Sequence, residues 1–243
     1  MKVVAIIPAA GLGTRMAPPG KNGLPSKQFF EIHGAPIIVH TLRVFARHPQ
    51  VGPILVALRR SEIELFRRQI EKEDFSSRVE TVEGGENRQE SVAHALTRLQ
   101  AEKDDIVLVH DAVRPLVEDE IITQVIQEAR KHGAAIAGMP AVDTIKQVER
   151  AAEGAIITST IPRERVVQAQ TPQGFRYELI KRAFESAMAD GFTGTDEASL
   201  VERLGENVWV VMGSARNIKI TTPSDLELAE FLLERSHVAG RHK

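Results

Sequence analysis

The chain has 243 residues, a formal net charge of −2 and no cysteine. This length suffices for one α/β domain with a sizeable core or for two small domains. The near-neutral charge excludes a global positive field for polymeric nucleic acid or an anionic membrane, so any recognition of phosphate has to be local. The lack of cysteine excludes disulfides, thiolate metal sites and cysteine nucleophiles. The apolar run at residues 1–8 is shorter than a signal peptide or a membrane span requires, and we expect a cytoplasmic protein.

Short runs of β-branched residues alternate with helical patterns, which predicts βαβ units around a mostly parallel sheet. The predicted strands are residues 3–7, 54–57, 79–82, 106–109, 134–137 and 208–211. Apolar residues recur at helical spacing at positions 38, 42 and 45, and again at 226, 229 and 233. The last helix has a clear start, with Thr222 as N-cap, Pro223 at the first helical position and Asp225 closing a capping box. No repeat or long linker divides the chain, so we predict one domain.

Residues 142–148 and 156–160 predict a hairpin that does not fit this plan. Thr144 and Lys146 alternate with Val142 and Val148, so neither face is apolar enough to bury fully. Because an isolated hairpin is marginal in water, it either lies along the parent sheet or projects as an arm against a second subunit. The pattern alone slightly favours packing on its own domain.

The strongest local signal is the loop after the first strand, residues 8–16, with the sequence PAAGLGTRM. Its small residues let the backbone approach a ligand closely, and a run of N–H groups suits phosphate oxygens. The loop lacks the third glycine of the dinucleotide fingerprint and the Gly-Lys-Ser/Thr of a Walker loop. A tight turn would also explain the glycines. However, Arg15, Lys21 and Lys27 follow closely, and three cations beside such a loop favour a polyphosphate site.

A second glycine turn, Gly84 and Gly85, follows the predicted strand 79–82. Asn87 can cap the next helix together with Glu90, but a helix cap does not explain the two glycines or the hydroxyl of Ser91. In an open α/β sheet, ligands bind at the carboxyl ends of the strands, and this turn lies at such an end.

Asp111 follows the buried strand 106–109 and is predicted to lie at the same edge of the sheet. A carboxylate there can hold Mg²⁺ that bridges triphosphate oxygens, or it can form a structural ion pair with Arg114. The two glycine loops at this edge favour the metal. His110 is more typical of a packed, hydrogen-bonded histidine. Because no Ser-His-Asp set, zinc motif or carboxylate pair is evident, the pattern predicts nucleotidyl transfer by positioning and charge.

Eight ordered motifs resemble those of the 2-C-methyl-D-erythritol 4-phosphate cytidylyltransferases over essentially the whole chain. They are residues 8–16, 27–29 (KQF), 84–85, 110–115 (HDAVRP), 143–146 (DTIK), 170–173 (QTPQ), 195–198 (TDEA) and 217–219 (NIK). The resemblance implies one Rossmann-like nucleotidyltransferase domain, residues 1–243, whose residues 141–163 form a projecting β-hairpin arm. It also implies transfer of CMP from CTP to 2-C-methyl-D-erythritol 4-phosphate with release of pyrophosphate, in the non-mevalonate isoprenoid precursor pathway. Mg²⁺ is the implied cofactor.

The resemblance further implies a homodimer whose arm crosses to the partner, which reverses the preference drawn from the pattern. Arg15 and Lys27 would stabilise the transition state at the α-phosphate of CTP, and Asp111 would lie at the Mg²⁺ and phosphate site. The implied nucleotide contacts are the backbone of Ala9, Ala10 and Gly11, with Gly85 and Ser91 near the cytosine and ribose. The implied acceptor contacts are Thr144, Arg163, Thr195 and Lys219, of which the first two would come from the neighbouring subunit.

Ordinary structural roles explain some of these residues equally well. Thr195 precedes what looks like a helix N-terminus, Lys219 could lie on the solvated face of an edge strand, and Arg163 could pair with Glu164 or Glu197. The stretch at residues 17–26 is longer than the family pattern, and Ser26 stands where the family commonly has proline. Lys21 therefore competes with Lys27, although the sequence KQF favours Lys27.

Three other functions compete with this one. The nearest is a cytidylyltransferase for another polyol phosphate such as ribitol 5-phosphate, against which the sequences AAG at residues 9–11 and TDE at residues 195–197 argue. A sugar-phosphate nucleotidyltransferase using UTP or dTTP would leave the arm and the NIK motif unexplained. A non-catalytic nucleotide sensor would have little need for Arg15, Lys27 and Asp111 together.

Overall fold

The computed structural model of the protein describes residues 1–11 and 26–239. Arg15, one of the two predicted catalytic residues, lies outside the described residues, and so does its neighbour Lys21. Within the described residues, no helix is both long enough and apolar enough to cross a membrane.

The described residues form eleven strands and seven α-helices. The strands are β1 (Val3–Pro8), β2 (Glu31–Ile32), β3 (Ala35–Pro36), β4 (Ile54–Leu58), β5 (Val79–Glu83), β6 (Ile106–Val109), β7 (Ala134–Pro140), β8 (Ile145–Ala151), β9 (Gly154–Ile161), β10 (Val167–Arg176) and β11 (Trp209–Met212). The helices are α1 (Ile37–Arg47), α2 (Ile63–Ile70), α3 (Arg88–Arg98), α4 (Asp119–His132), α5 (Tyr177–Ala189), α6 (Glu197–Arg203) and α7 (Pro223–Ala239).

Seven of the described strands form one sheet in the order β11-β7-β10-β6-β1-β4-β5. β1 pairs in parallel with β4 and β6, β4 with β5, and β7 with β11. β10 is antiparallel to both of its neighbours, β6 and β7. The sheet is therefore mostly parallel, and the predicted α/β class is confirmed.

Helices cover both faces of this sheet, and β1 shows how its side chains are shared between them. Val3, Ala5 and Ile7 belong to a core completed by α1, α2 and α4. Val4 and Ile6 point to the opposite face, into a core completed by α3, α5 and α6. A strand buried on both faces has no polar side to expose, which is why the predicted strands are nearly continuous apolar runs.

The predicted strands of the main sheet agree with the structure, and β10 is the strand of that sheet that the pattern does not predict. All six predicted strands are present within one or two residues at their amino ends, and the N-terminus of α7 is capped as expected, with Asp225 accepting from the Thr222 backbone N–H at 2.8 Å. β10 has no apolar alternation, because its residues 168–173 read QAQTPQ. Its buried polar side chains are satisfied by hydrogen bonds to distant residues, which local periodicity does not reveal.

The hairpin of β8 and β9 forms a two-stranded sheet of its own. Every side chain from residue 146 to residue 160 is exposed, and Val142 and Ile156 are 75% and 65% exposed. The expectation from the pattern alone, that the hairpin packs on its own domain, is therefore wrong. Neither of its faces is apolar enough to stabilise packing against the parent sheet.

A substitution in β10 tests how closely this strand approaches α4. A Cβ added at Gly174 would lie 2.8 Å from Val125 Cγ1 and 3.1 Å from Leu108 Cδ2. Because overpacking a core displaces side chains and backbone, Gly174→Ala should lower the free energy of unfolding by about 1–3 kcal/mol. Urea denaturation measures this, and an unchanged midpoint and slope would show that the strand and helix are not in close contact.

Candidate active site

A pocket opens at the carboxyl ends of β1, β5 and β6, where the three predicted loops converge. Its lining includes many of the predicted site residues: Ala9, Ala10, Gly11, Lys27, Gly85, Ser91, Asp111 and Lys219. Asn87 and Arg88 also line it. The sheet topology explains the convergence, because β1 lies between β6 and β4 and all of these strands point the same way.

The first loop is held by hydrogen bonds at the Ala9 N–H and at the Ala10 carbonyl. The Ala9 N–H donates to Ala57 O at 2.7 Å, and Ala10 O accepts from Arg59 Nε at 2.9 Å. Within the described part of the chain, the N–H groups of Ala10 and Gly11 donate to no protein acceptor. The loop can therefore offer N–H groups to an anion in the pocket.

Lys27 begins a short 3₁₀ turn that is tied directly to the first loop. Its neighbour Gln28 is buried and donates from Nε2 to Ala9 O. On the other side, Ser26 donates its hydroxyl to Glu62, and Phe29 enters the hydrophobic core. These contacts explain the KQF motif, since Gln28 and Phe29 fix the backbone from which Lys27 reaches the pocket.

The second loop packs against the first through glycine. A Cβ added at Gly84 would lie 2.5 Å from Ala10 Cβ, so a larger residue would separate the two loops. The buried Ser91 hydroxyl accepts from Gly85 N–H at 3.1 Å and donates to Asn87 O at 2.8 Å. Asn87 caps α3 by accepting from Glu90 N–H at 2.9 Å, as predicted. Ser91 thus shapes the turn that lines the pocket.

Asp111 lies at the floor of the pocket among three cations. Its Oδ1 contacts Arg88 Nε at 3.1 Å, and its Oδ2 contacts Lys219 Nζ at 2.9 Å. Arg114 Nε is 3.4 Å from Oδ2, so the ion pair considered as an alternative role for Asp111 is present. Burial alone would raise the pKa of Asp111, but the charges of Arg88, Lys219 and Arg114 outweigh burial and hold that pKa well below its usual range.

Arg88 joins Asp111 to a second buried carboxylate, Glu197. Arg88 Nη1 lies 2.7 Å and 2.8 Å from the two carboxylate oxygens of Glu197. Burial raises the pKa of Glu197 in spite of the opposing charge of Arg88. The cluster holds three positive charges against two negative ones, so it carries a net positive charge at the pocket floor and suits an anionic ligand.

A chain of hydrogen bonds fixes the backbone on either side of Asp111. The Asp111 N–H donates to Thr171 Oγ1 at 3.1 Å, and that hydroxyl lies 3.1 Å from His110 Nδ1. His110 Nε2 is 3.0 Å from Arg114 O, and since a carbonyl only accepts, the proton of the neutral ring is on Nε2. Burial lowers the pKa of His110 to about 4, so this packed histidine is neutral near pH 7.

The QTPQ motif of β10 holds together the two segments that carry the predicted substrate-binding residues Thr195 and Lys219. Gln173 donates from Nε2 to Asp196 Oδ2 at 2.8 Å and accepts from the Ala198 N–H at 3.1 Å. Asn217 donates from Nδ2 to Thr171 O at 2.8 Å. This strand therefore anchors both the start of α6 and the segment that carries Lys219.

Three predicted acceptor residues lie outside the pocket lining. Thr144 and Arg163 are exposed at the base of the arm, where Arg163 Nη1 donates to Val142 O at 2.9 Å. In the described structure Glu197 pairs with Arg88, not with Arg163. Thr195 is exposed and precedes Asp196, which caps α6 by accepting from Ser199 N–H at 3.0 Å.

The predicted assignment of Mg²⁺ to Asp111 fits these surroundings poorly. Both of its carboxylate oxygens already contact cations, and the net charge of the cluster repels a further cation. Among residues 1–11 and 26–239, no group of three or more acidic or histidine side chains could hold a metal ion. The assignment stays a prediction.

The sequence interpretation did not identify Arg88 and Glu197. Arg88 directly follows the capping residue Asn87, and Glu197 lies in the first turn of α6, so both have the appearance of ordinary helix starts. The two residues are 109 positions apart in the chain. A signal exists for Arg88, which directly follows the capping residue of a glycine loop at a predicted ligand edge, whereas no local signal marks Glu197.

A mostly parallel α/β sheet with two glycine loops and a cationic floor at its carboxyl edge defines a nucleotide-binding enzyme of the nucleotidyltransferase class. The chain belongs to the 2-C-methyl-D-erythritol 4-phosphate cytidylyltransferase family, whose sequence model matches residues 3–235.

The relatives cover the chain almost completely. The enzyme of that name from Acidobacterium capsulatum is 58% identical over 97% of this chain and 98% of its own length. The one from Solibacter usitatus is 51% identical over 96% of each chain. The crystal structure of 4-diphosphocytidyl-2C-methyl-D-erythritol synthase from Anaerococcus prevotii superposes with a TM-score of 0.81 at 31% identity, and 96% of each chain is covered.

The lowered pKa of His110 predicts a pH-dependent stability. Because its pKa is about 4 when folded and 6.5 when unfolded, only the unfolded chain takes up this proton in between. The stabilisation is complete above pH 6.5 and is lost as the pH falls toward 4, by at most about 1.4 kcal/mol per pH unit. Glu197 has a raised pKa, so above pH 4.5, its ordinary pKa, its contribution to stability falls as the pH rises.

Comparison with His110→Gln isolates the effect of the histidine. Urea denaturation from pH 7.5 to pH 4.5 should show the wild-type free energy of unfolding falling more steeply than that of the variant. Parallel curves would mean that His110 takes up its proton over the same pH range in the folded and the unfolded protein, so that folding does not lower its pKa.

Proposed function

We propose that this protein transfers CMP from CTP to 2-C-methyl-D-erythritol 4-phosphate and releases pyrophosphate, a step of the non-mevalonate isoprenoid precursor pathway. Relatives that carry the name of this activity support the proposal over nearly the full length of the chain. The observation that carries it is the pocket itself, because two backbone loops and Lys27 face a buried cluster with a net positive charge. Such a pocket suits two phosphate-bearing substrates that have to approach one another.

The chemistry needs positioned charge more than proton transfer. A phosphate oxygen of the acceptor attacks the α-phosphorus of CTP, and the bond from that phosphorus to the bridging oxygen of the β-phosphate breaks. An ionised phosphate is already a nucleophile, so no general base is required. Negative charge builds on the α-phosphate oxygens and on the departing pyrophosphate, where preoriented cations and N–H groups are most effective. We assign these roles to Arg15, Lys27 and the N–H groups of Ala10 and Gly11, while Ala9 anchors the loop through its bond to Ala57 O.

We assign the cytosine of CTP and the phosphate of the acceptor substrate to opposite sides of the pocket. Gly85 and Ser91 shape the second loop, and we propose that this loop contacts the cytosine and ribose. Lys219, which is held by Asp111 and is partly exposed, is proposed to bind the acceptor phosphate together with Thr195. CTP and the acceptor would then bind on opposite sides of the same cationic cluster, which would bring the two substrates into contact.

We propose that Mg²⁺ enters as part of the substrate, bound to the triphosphate oxygens of CTP. The described residues offer Asp111 as a carboxylate at this position, and its oxygens would have to give up an ion pair to contact a metal. Asp111 then acts mainly by orienting Lys219, Arg88 and Arg114.

We further propose that residues 1–243 form one domain that dimerises through its arm, residues 141–163. The arm exposes Val142, Val148, Ile156 and Ile157, and these side chains lose contact with water if a second copy covers them. A closed two-fold dimer would place Thr144 and Arg163 of each chain near the pocket of the other.

A substrate panel tests the proposed function. CTP, UTP and dTTP are each incubated with methylerythritol phosphate or ribitol 5-phosphate, and release of pyrophosphate is followed. CTP with methylerythritol phosphate should give the highest kcat/KM. Faster turnover with ribitol 5-phosphate would reassign the acceptor, and no turnover with any pair would refute the proposed activity.

The catalytic cations generate a further prediction. Arg15→Ala or Lys27→Ala should lower kcat by roughly two to three orders of magnitude, because each removes a positive charge that stabilises the negative charge of the transition state. Lys21→Ala is the matched control, since it removes a lysine from the same stretch and should leave kcat within about threefold of wild type. An inactive Lys21 variant beside an active Lys27 variant would exchange their roles.

The crossing arm predicts complementation between two inactive variants. Arg163→Ala and Lys27→Ala homodimers should each be nearly inactive. In a mixed dimer, one site combines both defects and the other has neither, so mixing should restore up to about half of the wild-type activity per mixed dimer. Subunit exchange is verified with a tag on one variant. An absence of recovery after exchange would mean that Arg163 acts in its own chain.

A further inference from the structure

Glu197 is a buried carboxylate that does not line the pocket, and the mechanism above does not use it. Its exposed fraction is 1%. The residues on both sides of it are anchored, because Gln173 binds Asp196 Oδ2 at 2.8 Å and the Ala198 N–H at 3.1 Å. β10 thereby fixes the backbone position of Glu197 through the residues on both sides of it.

Arg88 is the group that transmits this fixed position to the pocket. It stands at the first position of α3, directly after the second loop, and its side chain is 28% exposed in the pocket lining. Its Nη1 lies closer to Glu197, at 2.7 Å and 2.8 Å, than its Nε lies to Asp111, at 3.1 Å. Glu197 therefore holds the end of the guanidinium away from Asp111.

The orientation of Arg88 decides which oxygen of Asp111 remains for Lys219. In the structure Arg88 contacts Oδ1 with one nitrogen, and Oδ2 is left to Lys219 at 2.9 Å and Arg114 at 3.4 Å. Guanidinium groups prefer to bind a carboxylate with two parallel hydrogen bonds. Without Glu197, Arg88 would turn toward that geometry on Asp111 and compete for the oxygen that holds Lys219.

We infer that Glu197 is a positioning residue for the acceptor site: by holding Arg88, it keeps Asp111 Oδ2 free to fix Lys219 in the pocket. This inference rests on the proposed function, which assigns the acceptor phosphate to Lys219. It also gives a carboxylate a role at a position where burial disfavours its charge, since a neutral side chain could not hold the guanidinium in the same way.

Glu197→Gln tests the inference, because the amide keeps the size of the side chain and removes its charge. The KM for methylerythritol phosphate should rise about tenfold and kcat should fall about tenfold, since displacement of a binding group by an ångström is enough for losses of this size. The KM for CTP should stay within about threefold of wild type, because Lys27 and the first loop are untouched and the second loop is held by hydrogen bonds of Ser91 and Asn87. A merely structural role would not separate the two substrates in this way.

Two further variants connect the effect to its cause. Glu73→Gln is the matched control, because Glu73 takes two hydrogen bonds from Arg43, at 3.0 Å and 2.6 Å, away from the pocket. It should leave the kinetics unchanged. In a Lys219→Met background, Glu197→Gln should lower kcat/KM for the acceptor by no more than about threefold, because Lys219, the residue that Glu197 positions, is already absent.

The outcomes separate this inference from the proposed function. If the wild-type protein does not turn over CTP and methylerythritol phosphate, the proposed function fails. If it does, and Glu197→Gln has wild-type kinetics or the same losses for both substrates, the inference is wrong. Should Glu197→Gln not fold, Glu197→Asp keeps the charge and shortens its reach. A folded Asp variant with an unchanged KM for the acceptor would overturn the inference equally.

Discussion

The arrangement of this site depends on a buried carboxylate, Asp111, that is surrounded by three cations. Burial of a lone charge is strongly unfavourable, and Arg88, Arg114 and Lys219 compensate for it. Because these cations come from three separate segments of the chain, their attraction to one carboxylate ties α3, the loop after β6 and the segment after β11 to a single point. The surplus of positive charge that remains at that point is what suits the pocket to phosphate.

The polar strand β10 fixes this arrangement through hydrogen bonds to the Asp111 backbone and to the start of α6. Thr171 accepts from the Asp111 backbone, and Gln173 anchors the start of α6, which carries Glu197. β10 is the antiparallel strand among parallel neighbours, so its chain direction brings these side chains past the carboxyl end of β6. A strand that is buried but polar is costly unless its groups are paired, and here the pairing builds the site.

Much of the fold could be predicted from local pattern, whereas much of the site could not. The strand Ile106–Val109 and the cap of α7 follow from apolar runs and capping residues that are adjacent in sequence. The pairing of Arg88 with Glu197 joins residues 109 positions apart, and no periodicity in one sequence reports it. The projection of the hairpin does not follow from its pattern, because alternating polar and apolar residues do not tell a hairpin that packs on its own sheet from one that leaves it. The resemblance to a family implies the projecting arm, which the local pattern does not, but it does not imply the pairing of Arg88 with Glu197.

Our proposal for Asp111 is that it organises cations and is not chiefly a ligand of the metal. Its most direct test is a Mg²⁺ titration of turnover for the wild-type protein and Asp111→Asn, with CTP and methylerythritol phosphate saturating. The variant should be slow at every Mg²⁺ concentration, and the Mg²⁺ concentration for half-maximal turnover should stay within about threefold of wild type. A variant that needs much more Mg²⁺ and recovers wild-type turnover when it is supplied would show instead that Asp111 binds the metal.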